Sequence, residues 1–296
     1  MLPYFQIGGF SLPAYGVIVA AAVVSASWLA IARAPRYGIE THFMIRVTAY
    51  TVLTAVVGCR LGDLAIHPSF YWHSPEALLH SGGTFLFGFL AAALVVAAFA
   101  IHSGVSGWTL ADCGAPAFAL GIAVGRLGCF AAGCDYGKPS NLPWSVTFHD
   151  PAAAQLGGVP LGIPLHPSQL YESFYEFALL ALLTYLSRRP HRPGRIIWTF
   201  AISYSVGRFF LEFLRGDMDR GFWGPFSTSQ WLSVFLLLLL LFLHQVKATH
   251  GRPAVTVRSQ APDGAMHSAE KVIVPRDSGH EFDVVGIKVD AMRPRS

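Results

Sequence analysis

The stretch GRLGCFAAGCDYG, residues 125–137, decides how the chain folds. It lies where an apolar run from about residue 113 to residue 130 gives way to a polar segment rich in glycine and proline. Arg126 stands within the last turns of that run, so the sequence predicts a membrane helix with a fixed charge near the bilayer edge. An inserted arginine costs roughly 2.5–3.5 kcal/mol, which makes such a residue a functional candidate by default.

Two interpretations of Arg126 remain open from this stretch alone. The side chain could snorkel to the lipid headgroups. Alternatively it could bind a phosphate, because the surrounding glycines let the helix end and let backbone amides approach a ligand closely. Cys129 and Cys134 could pair or bind a metal, but an isolated C-x4-C is a weak signal and we interpret both as small packing residues.

The composition indicates a membrane protein. The chain has 296 residues, of which 53% are hydrophobic and 13% are charged. The charged fraction is about half of the roughly 25% that is usual in soluble proteins. Membrane lipids are therefore expected neighbours, and we expect no nucleic-acid partner.

Apolar runs of membrane-spanning length recur along the chain, and lipid cannot satisfy exposed backbone groups, so each run predicts a helix. The predicted fold is all-α, a polytopic membrane bundle of about seven helices. The predicted spans cover residues 13–32, 43–64, 84–102, 112–131, 167–186, 195–214 and 229–246.

The charges between the spans predict an orientation. Basic residues follow spans one, five and seven, whereas the connection from 65 to 83 has no lysine or arginine. By the positive-inside rule the N-terminus lies outside. Arg215 and Arg220 lie in a connection that this orientation places outside, which disagrees slightly with the rule, but Asp217 and Asp219 offset their charge.

Two regions differ from the spans. The connection 132–166 is long and rich in proline, and Trp144 and Phe148 favour an arm at the outer membrane interface. We expect residues 1–247 to form the membrane domain with this arm. Residues 248–296 are expected to be a largely disordered cytoplasmic tail with a possible short strand over 284–289.

Three arginines are expected near the outer ends of the even-numbered spans: Arg60, Arg126 and Arg208. Cations at one depth repel each other unless an anion lies among them. One solution is a buried ion-pair network, in which Glu212 pairs with Arg208 one turn away. The other is an anion such as a lipid phosphate at the outer leaflet.

Several stretches, in this order, resemble the prolipoprotein diacylglyceryl transferases of bacteria. The resemblance covers most of residues 10–246. It is carried by Tyr15-Gly16, Arg60-Leu61-Gly62, Asp112 with Pro116, residues 125–137, residues 166–172, and the spacing of Tyr204, Arg208 and Glu212.

The resemblance implies an enzyme of the bacterial cytoplasmic (inner) membrane whose active site faces the outer leaflet and the periplasm. Such an enzyme moves the diacylglyceryl group of phosphatidylglycerol onto the lipobox cysteine thiol, beside the signal peptide of a prelipoprotein. A thioether forms and glycerol phosphate leaves, the first step of lipoprotein maturation. No metal and no organic cofactor is implied.

The resemblance also implies roles for individual residues. Arg126 is expected to hold the lipid phosphate, while Arg208 and Tyr204 orient or polarise the reacting centre. The candidate catalytic residues are Arg126, Tyr204, Arg208 and His166, and the candidate substrate-binding residues are Arg126, Tyr15, Arg60, Gly137 and Glu212.

One departure from the family pattern concerns the base that removes the thiol proton. The family typically has a histidine or tyrosine where this chain has Phe87, which cannot move a proton. Tyr204, Tyr136, His166 and His80 are the alternative bases. The departure also motivates a second hypothesis, a non-catalytic lipid- or peptide-binding membrane protein with the same helical framework. A transporter is disfavoured, because the charges cluster at one face of the membrane and not at a site near its midplane.

Overall fold

Nine α-helices form the described part of the chain, and seven of them occupy the predicted spans. In a computed structural model, the described residues are 4–7, 10–74, 76, 83–217, 221–250, 255–258 and 270–273. The helices are α1 (Ala14–Arg33), α2 (Thr41–Ile66), α3 (Pro68–His73), α4 (Phe85–Ser103), α5 (Gly107–Ala132), α6 (Pro151–Gly157), α7 (Ser168–Leu186), α8 (Arg195–Leu211) and α9 (Thr228–His250). Short 3-10 helices cover Ala34–Tyr37 and Glu212–Leu214.

The all-α, polytopic membrane character is confirmed. Within the described residues, α1, α2, α4, α5 and α8 with its 3-10 extension are long and apolar enough to cross a membrane. The apolar part of α9, Thr228–Leu243, is shorter. The first half of α7 is polar and carries Glu172 and Glu176. The number of seven spans and the orientation stay predictions.

The outer surfaces of the long helices are apolar, as a lipid environment requires. Leu94 is 71% exposed, Ile101 80% and Phe174 77%. Such large apolar side chains on several helices exceed the scattered exposure that a soluble surface tolerates. They are expected to face the bilayer.

Helix α5 lies at the centre of the bundle. It packs along α1 and α7, and it also contacts α8 and α4, while α2 packs chiefly against α4. Most of its buried positions are small, including Ala115, Ala119 and Ala123, so neighbouring backbones approach closely. The neighbouring helices therefore pack on α5, whose last residues belong to the stretch 125–137.

Four short antiparallel strand pairs accompany the helices. They are β1 (Tyr4–Ile7) with β2 (Phe10–Pro13), β3 (Val146–Thr147) with β4 (Pro164–Leu165), β5 (Phe222–Trp223) with β6 (Phe226–Ser227), and β7 (Val255–Arg258) with β8 (Glu270–Ile273). The chain divides into two compact units, residues 1–240 and 241–296, and β7 and β8 belong to the second. The strand expected over 284–289 lies outside the described residues, and the boundary at 247 stays a prediction.

The segment 132–166 is an arm with a small core of its own. Phe148, 2% exposed, packs with Ala153, Val159 and Leu165. Phe148 therefore fills the arm and does not support an interfacial position, which stays a prediction. Trp144, in contrast, is 58% exposed.

A buried acid on α5 fixes the start of α8. The Asp112 side chain, 1% exposed, accepts hydrogen bonds from the backbone amides of Gly194 (2.7 Å) and Ile197 (2.8 Å). The residue before α8, Gly194, offers no side-chain cap of its own. Asp112 thus caps α8 from another helix and ties the two together.

We expect Asp112→Ala to lower the free energy of unfolding by about 1–3 kcal/mol, since two buried amides lose their acceptor. The thermal unfolding midpoint in detergent measures the effect. Ser106→Ala is the matched control, because Ser106 precedes α5 without a side-chain cap bond. Equal midpoints for the two variants would contradict the capping role.

Candidate active site

Two arginines from different helices meet at one carboxylate. Arg126, near the end of α5, contacts Asp135 (Nη1–Oδ2 2.5 Å) and Glu172 of α7 (Nη2–Oε1 2.9 Å). Arg208 of α8 contacts the other oxygen of Glu172 (Nη1–Oε2 3.4 Å) and Oε2 of Glu212 (2.9 Å). Glu172 therefore bridges Arg126 and Arg208 and joins three helices.

A third arginine extends this arrangement. Arg215 contacts Asp135 and Asp217, each at 2.5 Å, and lies 3.8 Å from Glu212. We call the three arginines and four carboxylates the ion-pair network: Arg126, Arg208, Arg215, Asp135, Glu172, Glu212 and Asp217. The predicted pair of Arg208 with Glu212 is confirmed within it.

The network is shielded from solvent. The side chain of Arg126 is 17% exposed, that of Arg208 10% and that of Glu172 6%. Burial by itself raises the pKa of Asp135, but the guanidinium groups of Arg126 and Arg215 outweigh it and hold that pKa below its usual range. Asp135 is thus a fixed anion between two cations.

Backbone contacts around Gly137 assemble the network from distant parts of the chain. Gly137 forms an antiparallel bridge with Arg215, and the amide of Lys138 donates to the carbonyl of Leu214 at 2.8 Å. On the other side, the amide of His166 donates to the carbonyl of Lys138 at 2.9 Å. A Cβ at Gly137 would meet the backbone oxygen of His166, so only glycine fits there. The structure thus gives Gly137 a packing role, while its contact with substrate stays a prediction.

The two predicted tyrosines lie beside the network. Tyr204 lies one turn before Arg208 and stacks on Phe200, with ring centroids 5.6 Å apart. Tyr15, 45% exposed, lies against the last turns of α5, where a Cβ at Gly128 would be 3.5 Å from its ring. The structure therefore brings both tyrosines to the same end of α5.

His166 and Arg60 occupy other surroundings. The Nδ1 atom of His166 lies 3.3 Å from the hydroxyl of Tyr171, which accepts a hydrogen bond from Nε1 of Trp144 at 2.7 Å. Among the described contacts, the His166 ring makes no hydrogen bond or ion pair with Arg126 or Arg208. Arg60 is half-buried on α2, whose chief packing partner is α4.

Phe87 lies in an apolar contact between α2 and α4. Its ring lies against Gly62, where a Cβ would overlap the ring atoms. The nearby carboxylate of Asp63 accepts hydrogen bonds from the hydroxyls of Tyr71 and Thr84, the latter at 3.3 Å. Phe87 is therefore a packing residue of this interface. His80 lies outside the described residues.

Sequence reasoning missed four members of the network as site residues. Asp135 and Glu172 both lie in stretches that carry the family resemblance, yet neither was selected. Arg215 and Asp217 were considered only for their effect on orientation. An acid in each of these polar stretches was the available signal, because buried arginines require compensating carboxylates.

Three side chains beside Arg126 have the chemistry of metal ligands. The Sγ atoms of Cys129 and Cys134 and a carboxylate oxygen of Asp135 lie within 4.8 Å of one another. Both Asp135 oxygens already bind arginines, Oδ2 to Arg126 and Oδ1 to Arg215. This leaves the two thiols as the chemically available part of the group.

We expect Gly137→Ala to lower the unfolding midpoint by several degrees and to abolish activity, because the added methyl group separates the segments that carry Arg215 and His166. Gly125→Ala is the matched control, since a Cβ at Gly125 has no neighbour within 4 Å. Its midpoint is expected to stay unchanged or to rise slightly, as alanine favours the helix. Equal midpoints would contradict the packing role of Gly137.

Comparisons with known proteins agree with this geometry. The family model described as prolipoprotein diacylglyceryl transferase matches residues 3–246. The phosphatidylglycerol–prolipoprotein diacylglyceryl transferase of Clostridium tetani is 30% identical over 244 residues, which cover 82% of this chain and 96% of the relative. The enzyme of that name from Bordetella avium is 38% identical over 213 residues, 69% of this chain and 78% of the relative.

The resemblance stated from the sequence is thereby confirmed over the whole helical bundle. The relative from Bacillus cereus, with the same name, is 31% identical over 250 residues, which span 83% of this chain and 92% of that protein. The matched region contains the entire ion-pair network, from Arg126 to Asp217. The chain belongs to the prolipoprotein diacylglyceryl transferase family.

Proposed function

We propose that this multi-pass membrane protein transfers the diacylglyceryl group of phosphatidylglycerol to the lipobox cysteine of prelipoproteins. The observation that carries the proposal is the convergence of Arg126 and Arg208, from two helices, in a shielded site at the end of α5. Paired guanidinium groups suit a phosphate, which they bind by charge-assisted hydrogen bonds. The names of the relatives supply the two substrates.

The chemistry requires three things from the protein: removal of the thiol proton, positive charge beside the departing phosphate, and a shielded site. The cysteine thiol must lose its proton, because the thiolate is the nucleophile. Its sulfur then forms a bond to the glyceryl carbon while the carbon–oxygen bond to the phosphate breaks, and glycerol phosphate leaves with the electron pair. The arginines stabilise the charge that develops on this phosphate, and a shielded site strengthens that interaction.

The network contains no spare positive charge for an incoming phosphate. Three guanidinium groups already face four carboxylates within the described residues. One carboxylate must therefore leave its partners or take up a proton when the lipid binds. Glu172 is the best candidate, because it lies between the two arginines and its contact to Arg208 is long, 3.4 Å. We infer that the lipid phosphate takes the place of the Glu172 carboxylate.

The remaining roles follow from position. Tyr204 and Tyr15 border the network and orient the substrates, Glu212 holds Arg208, and Gly137 keeps the backbone segments together. Tyr204, Tyr136, His166 and His80 stay the candidate bases in place of Phe87. The site faces the outer leaflet of the bacterial inner membrane, on the periplasmic side, in agreement with the basic connections on the opposite side.

The non-catalytic alternative rests only on Phe87, which replaces the usual histidine or tyrosine. Phe87 packs on Gly62 at the contact between α2 and α4, whereas Arg126 and Arg208 lie on α5 and α8. Its lack of a proton-transfer group is therefore compatible with a base located elsewhere. Family membership favours the transferase.

We expect Arg126→Ala and Arg208→Ala each to lower activity by at least about a hundredfold, the loss typical when a donor to a developing oxyanion is removed. The assay supplies purified protein in liposomes with phosphatidylglycerol and a lipobox peptide. Mass spectrometry detects the diacylglyceryl increment on the cysteine.

Arg36→Ala is the matched control for this assay. Arg36 is exposed in the 3-10 helix that follows the C-terminal end of α1, whereas Tyr15 lies in the first turn of α1. Its removal should leave product formation intact. No product from folded, lipid-binding wild-type protein would overturn the transferase proposal in favour of a binding protein.

We expect Glu172→Gln to lower the KM for phosphatidylglycerol on the order of tenfold, because the variant lacks the carboxylate that competes with the lipid phosphate for the arginines. The repulsion between that carboxylate and a phosphate exceeds the about 1.4 kcal/mol that corresponds to a tenfold change. Glu176→Gln is the matched control, one turn further along α7. Glu176 is 1% exposed and has no ion pair among the described residues. A raised KM for Glu172→Gln, in protein with an unchanged midpoint, would contradict the exchange of the Glu172 carboxylate for the lipid phosphate.

A further inference from the structure

Two cysteines of the chain lie at the end of α5, beside the arginine proposed to hold the lipid phosphate. Cys129 lies one turn beyond Arg126, and its Sγ is 3.9 Å from Nη1 of that arginine. Cys134 directly precedes Asp135, the residue that bridges Arg126 and Arg215. The pair therefore lies at a point where a covalent change would act on the network.

The cap of α5 brings these cysteines together. Gly133 adopts a positive φ of 80°, and the helix closes with hydrogen bonds from the amides of Gly133 (2.9 Å) and Cys134 (3.2 Å) to the carbonyl of Cys129. The second bond spans the six residues of a Schellman closure, in which the first and last side chains meet. Cys129 and Cys134 hold those two positions.

The distances place the two thiols within reach of each other. The two Sγ atoms lie within 4.8 Å of each other. The carbonyl oxygen and the amide nitrogen lie within about 2.4 Å and 1.5 Å of their own Cα atoms, so the 3.2 Å hydrogen bond limits the Cα separation to about 7 Å. The Cα separation therefore does not exceed the roughly 7 Å beyond which a disulfide would require backbone movement.

Access distinguishes this pair from the other cysteines. Cys129 and Cys134 are both partly exposed, whereas Cys113 is fully buried at 0% exposure. Cys59 is partly exposed but lies on α2, in contact with Gly83 and Gly88 of the α4 region. Only the pair at the end of α5 combines access with a neighbouring thiol within the described residues.

We propose that Cys129 and Cys134 form a reversible disulfide that closes the cap of α5 next to Arg126. Two S–H bonds break and one S–S bond forms. The two electrons and two protons pass to an oxidant of the disulfide class, which becomes a dithiol. The oxidising surroundings rest on the proposed outer-face position of the site, since disulfides persist in the periplasm.

The consequence concerns the geometry of the arginines. A disulfide would tie the turn that follows Arg126 to the residue that precedes Asp135. The ion pair between Arg126 and Asp135 would then be held from both of its ends. Reduction would free the cap while the rest of the bundle stays packed.

Thiol mapping tests the proposal. Full-length protein in membranes is treated with oxidised glutathione, its free thiols are alkylated, and the proteolytic fragment with both cysteines is weighed. The expected fragment is unalkylated and lighter by two hydrogen atoms than the dithiol form. Dithiothreitol is expected to restore two alkylatable thiols, and Cys113 is expected to stay a thiol throughout.

Variants extend the test to stability. Reduction is expected to lower the unfolding midpoint of the wild type by a few degrees and to leave that of the Cys129→Ser/Cys134→Ser variant unchanged. Each single serine variant should lose the light fragment. Because these readouts need no transferase assay, a disulfide in an inactive protein would count against the proposed function alone.

Two results would overturn the proposal. One is full alkylation of Cys129 and Cys134 after treatment with oxidised glutathione. The other is protection of both thiols that a chelator removes without a reductant, together with one bound zinc ion per chain. That second result would instead assign the thiols and Asp135 to a metal.

Discussion

The bridge that Glu172 forms between Arg126 and Arg208 is the interaction on which the site depends. Buried charges are costly to desolvate, and an unpaired one is far more costly than a pair. Each arginine therefore needs its acid, and the acid on α7 can reach both only if α5, α7 and α8 pack in one arrangement. The network thereby fixes the relative positions of these helices, and small residues on α5 permit the close packing it needs.

Such a network is suited to a charged substrate that must also leave. Its carboxylates keep the arginines oriented before the lipid arrives, which reduces reorganisation during the reaction. The same carboxylates weaken anion binding, because the described network holds more acids than bases. The proposed exchange of the Glu172 carboxylate for a phosphate would resolve this conflict. In that proposal the departing glycerol phosphate is displaced in turn when Glu172 returns.

The sequence was sufficient to predict the seven long helices, because long apolar runs leave few alternatives in lipid. It also identified Arg126, Arg208 and the local partner Glu212, which lies at helical spacing from Arg208. It could not reveal that Asp135 meets Arg215, since 80 residues separate them and a backbone bridge at Gly137 brings them together. Nor could it reveal that Phe148 is buried, because a fold within the arm covers its ring. The orientation and the roles of the site residues stay predictions.

The most direct test is an electron cryo-microscopy structure of the protein in nanodiscs that contain phosphatidylglycerol. The account predicts headgroup phosphate density between Arg126 and Arg208, with the Glu172 carboxylate displaced from both guanidinium groups. Phosphate density elsewhere, with Glu172 still bridging Arg126 and Arg208 in the lipid-bound state, would contradict it.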